Sequence, residues 1–192
     1  MQLSEGFTSE PIPYEVYRRM LGRSYPEGCP VELTELRYLR VRHIGFDGQE
    51  HEGELVVNER IAEDVLEIMA GLFEARYPIE KMRLIDDYDA VDEDSMTDNN
   101  SSGFCYRVVS GTNTLSNHAR GLAVDINPLY NPYVRENRVE PAAAQPYVDR
   151  EQDNPYFLRD GDICVMLFTQ HGFTWGGHWK GYKDYQHFDI RD

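Results

Sequence analysis

Two histidines and two aspartates in the second half of the chain have the types and spacing of a metal-assisted hydrolase. The segments SNHARGLAVDIN and DYQHFDI contain His118, Asp125 and His187 in the pattern H-x6-D followed by D-x2-H. Two imidazoles and one carboxylate can hold Zn²⁺ and leave its fourth tetrahedral position open to water, as in catalytic zinc sites. Asp184, three positions before His187, is expected to transfer a proton beside the metal instead of binding it. The pattern therefore predicts hydrolysis by a metal-activated water.

The residues around these side chains predict two strands that direct them into one cleft. In LAVDIN the apolar residues alternate with Asp125, so an extended strand would bury them and direct the carboxylate to the opposite face. Gly121 provides a turn that could fold the upstream histidine back toward this carboxylate. HFDI alternates in the same way around His187. Asp184 has the wrong parity to share that face on a straight strand, so we expect a turn or bulge at residues 185–186.

The chain as a whole predicts one α+β domain with a small, mainly antiparallel sheet that carries the metal site and helices packed on one side. Its 192 residues are enough for one well-buried domain. We expect residues 1–35 to form an extended or short-helical lead-in and residues 36–192 to form the domain.

Local signals predict several elements before the site. The runs LRYLRVRHIGF and GELVV flank an Asp47-Gly48 turn and predict a β-hairpin. Asn58 is a candidate N-cap for a following helix whose apolar residues recur at helical spacing until Pro78. KMRLIDDY then predicts a strand.

Two longer segments lack a regular pattern. Residues 86–98 contain seven carboxylates without the spacing of a Ca²⁺ loop, so we expect a solvated connection that approaches the site. Residues 130–160 contain four prolines that disfavour regular structure, and we expect a loop that borders the substrate cleft.

The formal net charge of −15 excludes a class of partners. Binding to nucleic acid depends on Lys and Arg that neutralise phosphates, so nucleic acid is not expected as a partner. The same charge disfavours adsorption to anionic surfaces. Recognition of a substrate must therefore be local, at the cleft.

The motifs together resemble a known family. The run DNNSSGFCYRVVSGTNTLSNHARGLAVDINP, followed by HGFTWGGHW and DYQHFD, is similar to the zinc peptidoglycan peptidases, which comprise D-alanyl-D-alanine carboxypeptidases and L-alanyl-D-glutamate endopeptidases. The similarity runs from about Leu36 to the C-terminus. It implies that His118, Asp125 and His187 bind one zinc ion and that Asp184 is the catalytic base.

The resemblance also implies substrate-binding residues and a fold. Arg107, from the S-G-(F/Y)-x2-R segment, and Ser116, two residues before the first ligand, would bind and polarise the substrate peptide. The implied fold is the one shared by hedgehog domains and these peptidases. An Asp as the base resembles the phage-endolysin branch more than the vancomycin-resistance dipeptidases. Trp175 and Trp179 are either core aromatics or, because glycines separate them, part of a cleft wall.

The implied site of action is the bacterial cell wall, with peptidoglycan stem peptides as substrate and a monomeric enzyme. No segment approaches the roughly 20 apolar residues of a membrane span. The N-terminal sequence has neither the basic start nor the apolar region of a signal peptide. We therefore expect a secreted or periplasmic domain whose export signal is absent from this chain, or a cytoplasmic phage-type lysin.

Three alternatives remain open from the sequence. Cys105 stands near the predicted site and could be a nucleophile with one of the histidines. Ser116 could be a serine nucleophile, although no G-x-S-x-G elbow surrounds it. Hedgehog-type domains use a similar zinc site for binding or stability, so zinc alone would not establish catalysis.

Overall fold

The computed structural model describes residues 5–109 and 112–190, which form small, mainly antiparallel sheets and a few helices. The strands are β1 Thr8–Pro11, β2 Leu36–Ile44, β3 Glu50–Asn58, β4 Lys81–Met82, β5 Asn100–Ser101, β6 Ala123–Asp125, β7 Tyr133–Arg135, β8 Arg138–Glu140, β9 Thr174–Trp175, β10 Lys183–Asp184 and β11 His187–Asp189. The α-helices are α1 Tyr14–Met20, α2 Glu59–Glu74, α3 Asp92–Thr97 and α4 Ile163–Gln170. Short 3-10 helices cover Leu33–Glu35, Ile85–Tyr88, Asn117–Arg120, Ala142–Tyr147 and Gly176–His178.

The strands form four separate sheets. Their orders are β1-β2-β3, β10-β7-β8, β6-β11-β9 and β4-β5, and among the strands of residues 5–109 and 112–190 only the β4-β5 pair is parallel. The predicted α+β class with small antiparallel sheets is therefore confirmed. None of the helices in the described residues combines the length and apolar character needed to cross a membrane.

The predicted hairpin and its following helix are confirmed. Strands β2 and β3 pair antiparallel over their full length, with Leu39 opposite Leu55. The connection contains Gly48 at φ +73°, where a residue without a Cβ avoids strain. Asn58 caps α2, because its side-chain oxygen accepts a hydrogen bond from the backbone N–H of Arg60 at 3.1 Å.

The apolar face of α2 forms the main core with β2, β3 and α4. The same core reaches the strands of the site, because Phe168 of α4 stacks on Phe188 of β11 with ring centroids 4.0 Å apart. Both side chains are fully buried. Burial of one such ring contributes about 1.5–3 kcal/mol, so this contact ties β11 firmly to the helical layer.

The first 35 residues contain both kinds of structure expected for them. Strand β1 pairs with β2 and becomes the edge of the first sheet. Helix α1 buries Val16 and Met20 in a second apolar cluster with Leu36 and Phe104. The division of the chain at residue 35 stays a prediction.

The prediction of a strand over KMRLIDDY is correct only for β4. The chain then forms the 3-10 helix Ile85–Tyr88, because the carboxylate of Asp86 turns inward. Asp86 is buried and accepts hydrogen bonds from the backbone N–H and the hydroxyl of Ser24, at 3.0 and 3.1 Å. The expectation of a solvated connection over residues 86–98 was therefore wrong at Asp86, whereas Asp87 and Asp89 are exposed as expected. The helix α3 shows that the segment is not all loop.

Residues 130–160 contain more regular structure than their prolines suggested. Strands β7 and β8 form a hairpin, and a 3-10 helix follows at Ala142–Tyr147. Pro132 and Pro141 lie immediately before and after this hairpin instead of inside it, so they interrupt no ladder hydrogen bond. The segment does border the cleft, as expected, because both hairpin strands line the cavity described below.

Replacement of Asn58 by Ala tests the junction between α2 and the site loop. Besides its cap, Asn58 donates a side-chain hydrogen bond to the Arg120 carbonyl at 3.1 Å. We expect Asn58→Ala to lower the free energy of unfolding by about 2 kcal/mol, from loss of the cap and of one further hydrogen bond. Urea denaturation would measure the change. Asp162→Ala, which removes only a cap from α4, is the control and should cost about 1 kcal/mol. Equal losses in the two variants would contradict the dual role of Asn58.

Candidate active site

The pairing of β6 with β11 brings two of the predicted metal ligands together. The strands are antiparallel, and Asp125 lies directly opposite His187 in their register. Oδ1 of Asp125 is 3.0 Å from Nδ1 of His187. Leu122 and Val124, the apolar neighbours of Asp125, are buried in the main core, as the alternation predicted. Side-chain parity and register therefore place both groups on the cleft side of one sheet.

His118 reaches the same point from the 3-10 helix Asn117–Arg120. The hydroxyl of Ser116 caps this helix and accepts a hydrogen bond from the backbone N–H of His118 at 3.2 Å. Gly121 ends it at φ +69°, where an added Cβ would lie 2.6 Å from the backbone nitrogen of Asn58. The turn predicted at Gly121 therefore folds His118 back. Nε2 of His118 lies 3.1 Å from Oδ2 of Asp125.

The three side chains have the geometry of a metal site, and the His118 ring is oriented to present a lone pair to it. Nδ1 of His118 is 2.7 Å from the Gly103 carbonyl, which can only accept, so Nδ1 carries the hydrogen and Nε2 of the neutral ring presents a lone pair. Nε2 is 3.1 Å from Nδ1 of His187. Zinc bonds of about 2.0–2.1 Å would separate tetrahedral ligand atoms by about 3.3 Å. One ligand atom from each residue lies within 4.8 Å of the others, so the group can hold a metal ion.

The electrostatics of the cluster favour a bound cation. Burial raises the pKa of Asp125, but the adjacent imidazoles outweigh it and hold the pKa below its usual range. Burial lowers the pKa of His187, but hydrogen bonds with Asp125 and Asp189 outweigh it and raise the pKa to about 10. The carboxylate is therefore ionised at neutral pH. A metal ion would compete with the imidazole proton for this site.

Asp189 lies beside His187, next to the ring nitrogen that does not face Asp125. One of its carboxylate oxygens accepts a hydrogen bond from the side chain of Asn117 at 2.7 Å. The same oxygen lies 3.7 Å from Nε2 of His187. A carboxylate behind a ligating imidazole fixes the orientation of the ring. Alternation along HFDI placed Asp189 on the polar face of its strand, but the sequence did not identify this role.

Asp184 enters the cleft from a different sheet. It ends β10, and the predicted turn at residues 185–186 separates it from β11. Its Oδ1 atom is buried with no hydrogen-bond partner among the described residues. Burial and the nearby carboxylate of Asp125 raise the pKa of Asp184 to about 7, against the opposing effect of His187. The carboxyl group therefore lies near the proposed ligands and is available to exchange a proton.

Gly176 allows the backbone of Asp184 to come this close. A Cβ at Gly176 would lie 2.3 Å from the Asp184 carbonyl oxygen and 2.9 Å from its Cβ. Gly177 is required by a different contact, because a Cβ at this position would lie 2.3 Å from the indole ring of Trp175. The two glycines of WGGHW thus serve close packing, one of them against the strand that carries Asp184.

A cavity of about 440 Å³ surrounds the cluster. Of the predicted substrate-binding residues, Arg107, Ser116 and Trp179 line it. Trp179 packs against His187 with ring centroids 5.3 Å apart. Trp175 does not line the cavity; its side chain is 3% exposed and belongs to the main core. The structure therefore places Trp175 in the core and Trp179 in the cleft wall.

Arg107 has a partner that the sequence did not reveal. Its Nε lies 2.5 Å from a carboxylate oxygen of Asp92, and both residues line the cavity. Asp92 belongs to the acidic stretch 86–98, in which no spacing distinguishes it from its neighbours. The ion pair orients the guanidinium across the cleft from the first turn of α3.

The geometry disfavours the two alternative nucleophiles. Cys105 is buried, and burial raises the pKa of its thiol to about 12, so little thiolate forms at neutral pH. The hydroxyl of Ser116 accepts the hydrogen bond that caps the His118 helix, which gives it a structural role. The three cysteines of the chain are all unpaired.

Replacement of Gly176 by Ala tests how Asp184 is positioned. The added methyl group would clash with the backbone of β10, so we expect a loss of about 1–3 kcal/mol in unfolding free energy. Thermal denaturation would measure it, and a crystal structure should show β10 displaced from the 3-10 helix Gly176–His178. An unchanged melting temperature with β10 in place would contradict the close approach.

Comparison with known proteins supports a peptidase. A protein-family model described as D-alanyl-D-alanine carboxypeptidase matches residues 110–190. The match covers a shorter part of the chain than the resemblance seen from residue 36, but it includes all three candidate ligands and Asp184. No curated protein and no solved structure matched the chain. Over residues 110–190, the segment that carries the candidate metal-binding cluster, the chain is similar to D-alanyl-D-alanine carboxypeptidases.

Proposed function

We propose that this protein is a zinc-dependent peptidase that cleaves peptidoglycan stem peptides, as a D-alanyl-D-alanine carboxypeptidase or an L-alanyl-D-glutamate endopeptidase. The observation that carries the proposal is the juxtaposition of a His118–Asp125–His187 cluster with the unpartnered carboxylate oxygen of Asp184 in one cavity. The family match supports the same reaction class. We further propose the hedgehog-like peptidase fold and its phage-endolysin branch, in which the base is also an aspartate.

His118, Asp125 and His187 would hold the metal. Nε2 of His118 lies 3.1 Å from Nδ1 of His187, and each of these nitrogens lies 3.0 to 3.1 Å from one oxygen of the Asp125 carboxylate. The ring of His118 is already oriented by the Gly103 carbonyl. Bound zinc would supply a Lewis acid that polarises a peptide carbonyl and lowers the pKa of a water molecule. The ligand residues are buried, so binding of the ion would release the proton of His187 instead of displacing bulk water.

Asp184 would act as general base and then as general acid. Asp184 lines the cavity, and its buried Oδ1 accepts no hydrogen bond from the described residues. It is therefore available to accept a proton from the attacking water and to deliver that proton to the departing amine nitrogen. A site that served only stability would not require a buried carboxylate oxygen left without a partner, since such an atom costs free energy. This oxygen favours an enzyme over a non-catalytic zinc-binding domain.

Arg107 would bind and polarise the substrate. A guanidinium presents a planar set of donors that suits a peptide carbonyl or carboxylate. The ion pair with Asp92 holds one edge of it, which leaves other N–H groups for the substrate. Ser116 and Trp179 would contribute to the cleft wall, Trp179 through its packing on His187.

The proposed reaction places the protein at the bacterial cell wall. Stem peptides are short and extended, and the open cleft could accept such a chain along its length. Because the net charge of −15 opposes attraction to anionic wall polymers, binding would depend on the cleft itself.

Asp184→Asn tests the acid–base role. The amide keeps the shape of the side chain but cannot accept the proton, so we expect a loss of about two to four orders of magnitude in kcat with zinc retained. Mass spectrometry of defined stem peptides incubated with the zinc-loaded protein would identify the cleaved bond and the rate. Asp160→Asn changes a carboxylate hydrogen-bonded to His178 outside the cluster and should retain full activity. Substantial turnover by Asp184→Asn would rule out Asp184 as the base.

His118→Ala tests the ligand set independently of activity. Removal of one of three ligands should reduce bound zinc from about one ion per chain to near zero after dialysis, because two ligands hold the metal weakly. Elemental analysis of the purified protein would measure it. His178→Ala, which removes an imidazole outside the cluster, should keep its zinc. Equal zinc content in the two variants would remove His118 from the proposed site.

A further inference from the structure

The cavity has a second wall that the proposed chemistry does not use. It is formed by the β7–β8 hairpin, from which Tyr133, Arg135, Arg138 and Glu140 line the cavity. Strand β7 also pairs with β10, with Tyr133 directly opposite Asp184. The hairpin is therefore a direct extension of the sheet that carries the proposed acid–base residue.

The position of Arg135 on this hairpin sets its distance from the reaction centre. Arg135 lies two residues after Tyr133, so both side chains point to the same face of β7. Two strand residues span roughly 6.6 Å, at about 3.3 Å per residue. An extended peptide bound alongside would thus present to Arg135 a group about two residues away from the bond beside Asp184.

Arg135 differs from the other two arginines of the cavity. Arg107 is paired with Asp92, and Arg138 is paired with Glu140, its Nε lying 2.9 Å from the carboxylate. In the described part of the chain, no carboxylate lies within 4.0 Å of the Arg135 guanidinium. The guanidinium carbon of Arg135 lies over the ring of Tyr182, 5.8 Å from the ring centroid.

The surroundings keep this guanidinium at the cleft. Tyr182 lines the same cavity and packs against Tyr133, with ring centroids 5.8 Å apart. A cation beside an aromatic ring is held by the ring quadrupole without neutralisation of its charge. The positive charge of Arg135 is therefore directed to the cleft in a protein whose net charge is −15.

The wall contributed by α3 and by the segment after Arg107 has a different character. Met96, Val109 and Leu115 line the cavity there, and Val109 is 40% exposed. Such a surface suits small alkyl side chains, whereas a guanidinium suits an anion. The cleft thus provides an apolar side and a cationic side for a single extended peptide.

We propose that Arg135 is a specificity-determining residue that binds a free carboxylate of the substrate about two residues from the scissile bond. This inference rests on the proposed peptidase function and narrows its substrate class to peptides that carry an ionised carboxyl group at that distance. Of the free carboxylates of a stem peptide, the α-carboxylate of the D-glutamyl residue lies at about this distance from a D-Ala-D-Ala bond, with L-Lys and D-Ala between them. The C-terminal carboxylate lies on the residue next to that bond. The same peptide with the bound carboxyl group amidated would lose the interaction.

Binding to inactive protein separates this proposal from catalysis. Full-length, zinc-loaded Asp184→Asn protein would be titrated calorimetrically with the pentapeptide L-Ala-γ-D-Glu-L-Lys-D-Ala-D-Ala. Three forms of the peptide are needed: both carboxyl groups free, the D-glutamyl α-carboxyl amidated, and the C-terminus amidated. We expect one amidation to weaken binding about tenfold, the size of one charge-assisted hydrogen bond. The form that loses affinity identifies which carboxylate Arg135 binds.

Arg135→Gln in the same background tests whether this residue is responsible. It should weaken binding of the free peptide about tenfold and leave the sensitive amidated form unchanged, because the two changes remove the same interaction. Arg135→Glu should reverse the preference. Arg18→Gln, on the exposed face of α1 and outside the cavity, is the matched control and should keep the preference.

The outcomes distinguish this proposal from the proposed function. Equal affinity for all three peptides, or a preference that survives Arg135→Gln, would overturn the role of Arg135 even if the unmodified protein cleaves the peptide. Absence of cleavage by the unmodified, zinc-loaded protein would count against the peptidase, whatever the binding shows. Loss of the preference in Arg135→Gln alone would establish the carboxylate subsite.

Discussion

The antiparallel pairing of β6 with β11 is the constraint on which the site depends. It sets Asp125 opposite His187 on the cleft side and buries Val124 and Phe188 on the other. A slip of one residue would turn both polar groups into the core, so the buried face enforces the register. The stack of Phe188 on Phe168 then fixes this strand pair to the helical layer. The strand pairing that buries apolar side chains in the core therefore also fixes the geometry of the cluster.

The other two residues of the candidate site, His118 and Asp184, lie on elements outside this strand pair. His118 arrives on a capped 3-10 helix that Gly121 ends, and Asp184 arrives on the edge of a different sheet. Each approach depends on a glycine that permits close contact between backbones. The proposed ligands and the proposed acid–base group thus have separate supports, so the cluster could hold a metal while Oδ1 of Asp184 has no partner among the described residues. This separation suits a catalytic site better than a structural one.

The cavity carries charges of both signs. Among the described residues, five carboxylates line it, those of Asp92, Asp125, Asp184, Asp189 and Glu140, and so do three arginines. Two of them are neutralised by Asp92 and Glu140, which hold them in place. Arg135 has no carboxylate within 4.0 Å in the described part of the chain, so an anionic group would be recognised by direct contact with it. The formal net charge of −15 gives no general attraction to anionic polymers.

The local sequence pattern was sufficient to predict the features that depend only on residues close together in the chain. The β2–β3 hairpin, the Asn58 cap and the turn before His187 follow from turn chemistry and from two- and 3.6-residue periodicity, and the structure has all three. The strand predicted after α2 was mostly wrong, because a buried hydrogen bond between residues 62 positions apart turned Asp86 inward. The pairing of Arg107 with Asp92, the place of Trp175 in the core and the cationic hairpin wall also needed the folded chain. These three features depend on contacts between segments that are distant in sequence. The local sequence does not indicate which acidic, aromatic or basic residue will lie at the site.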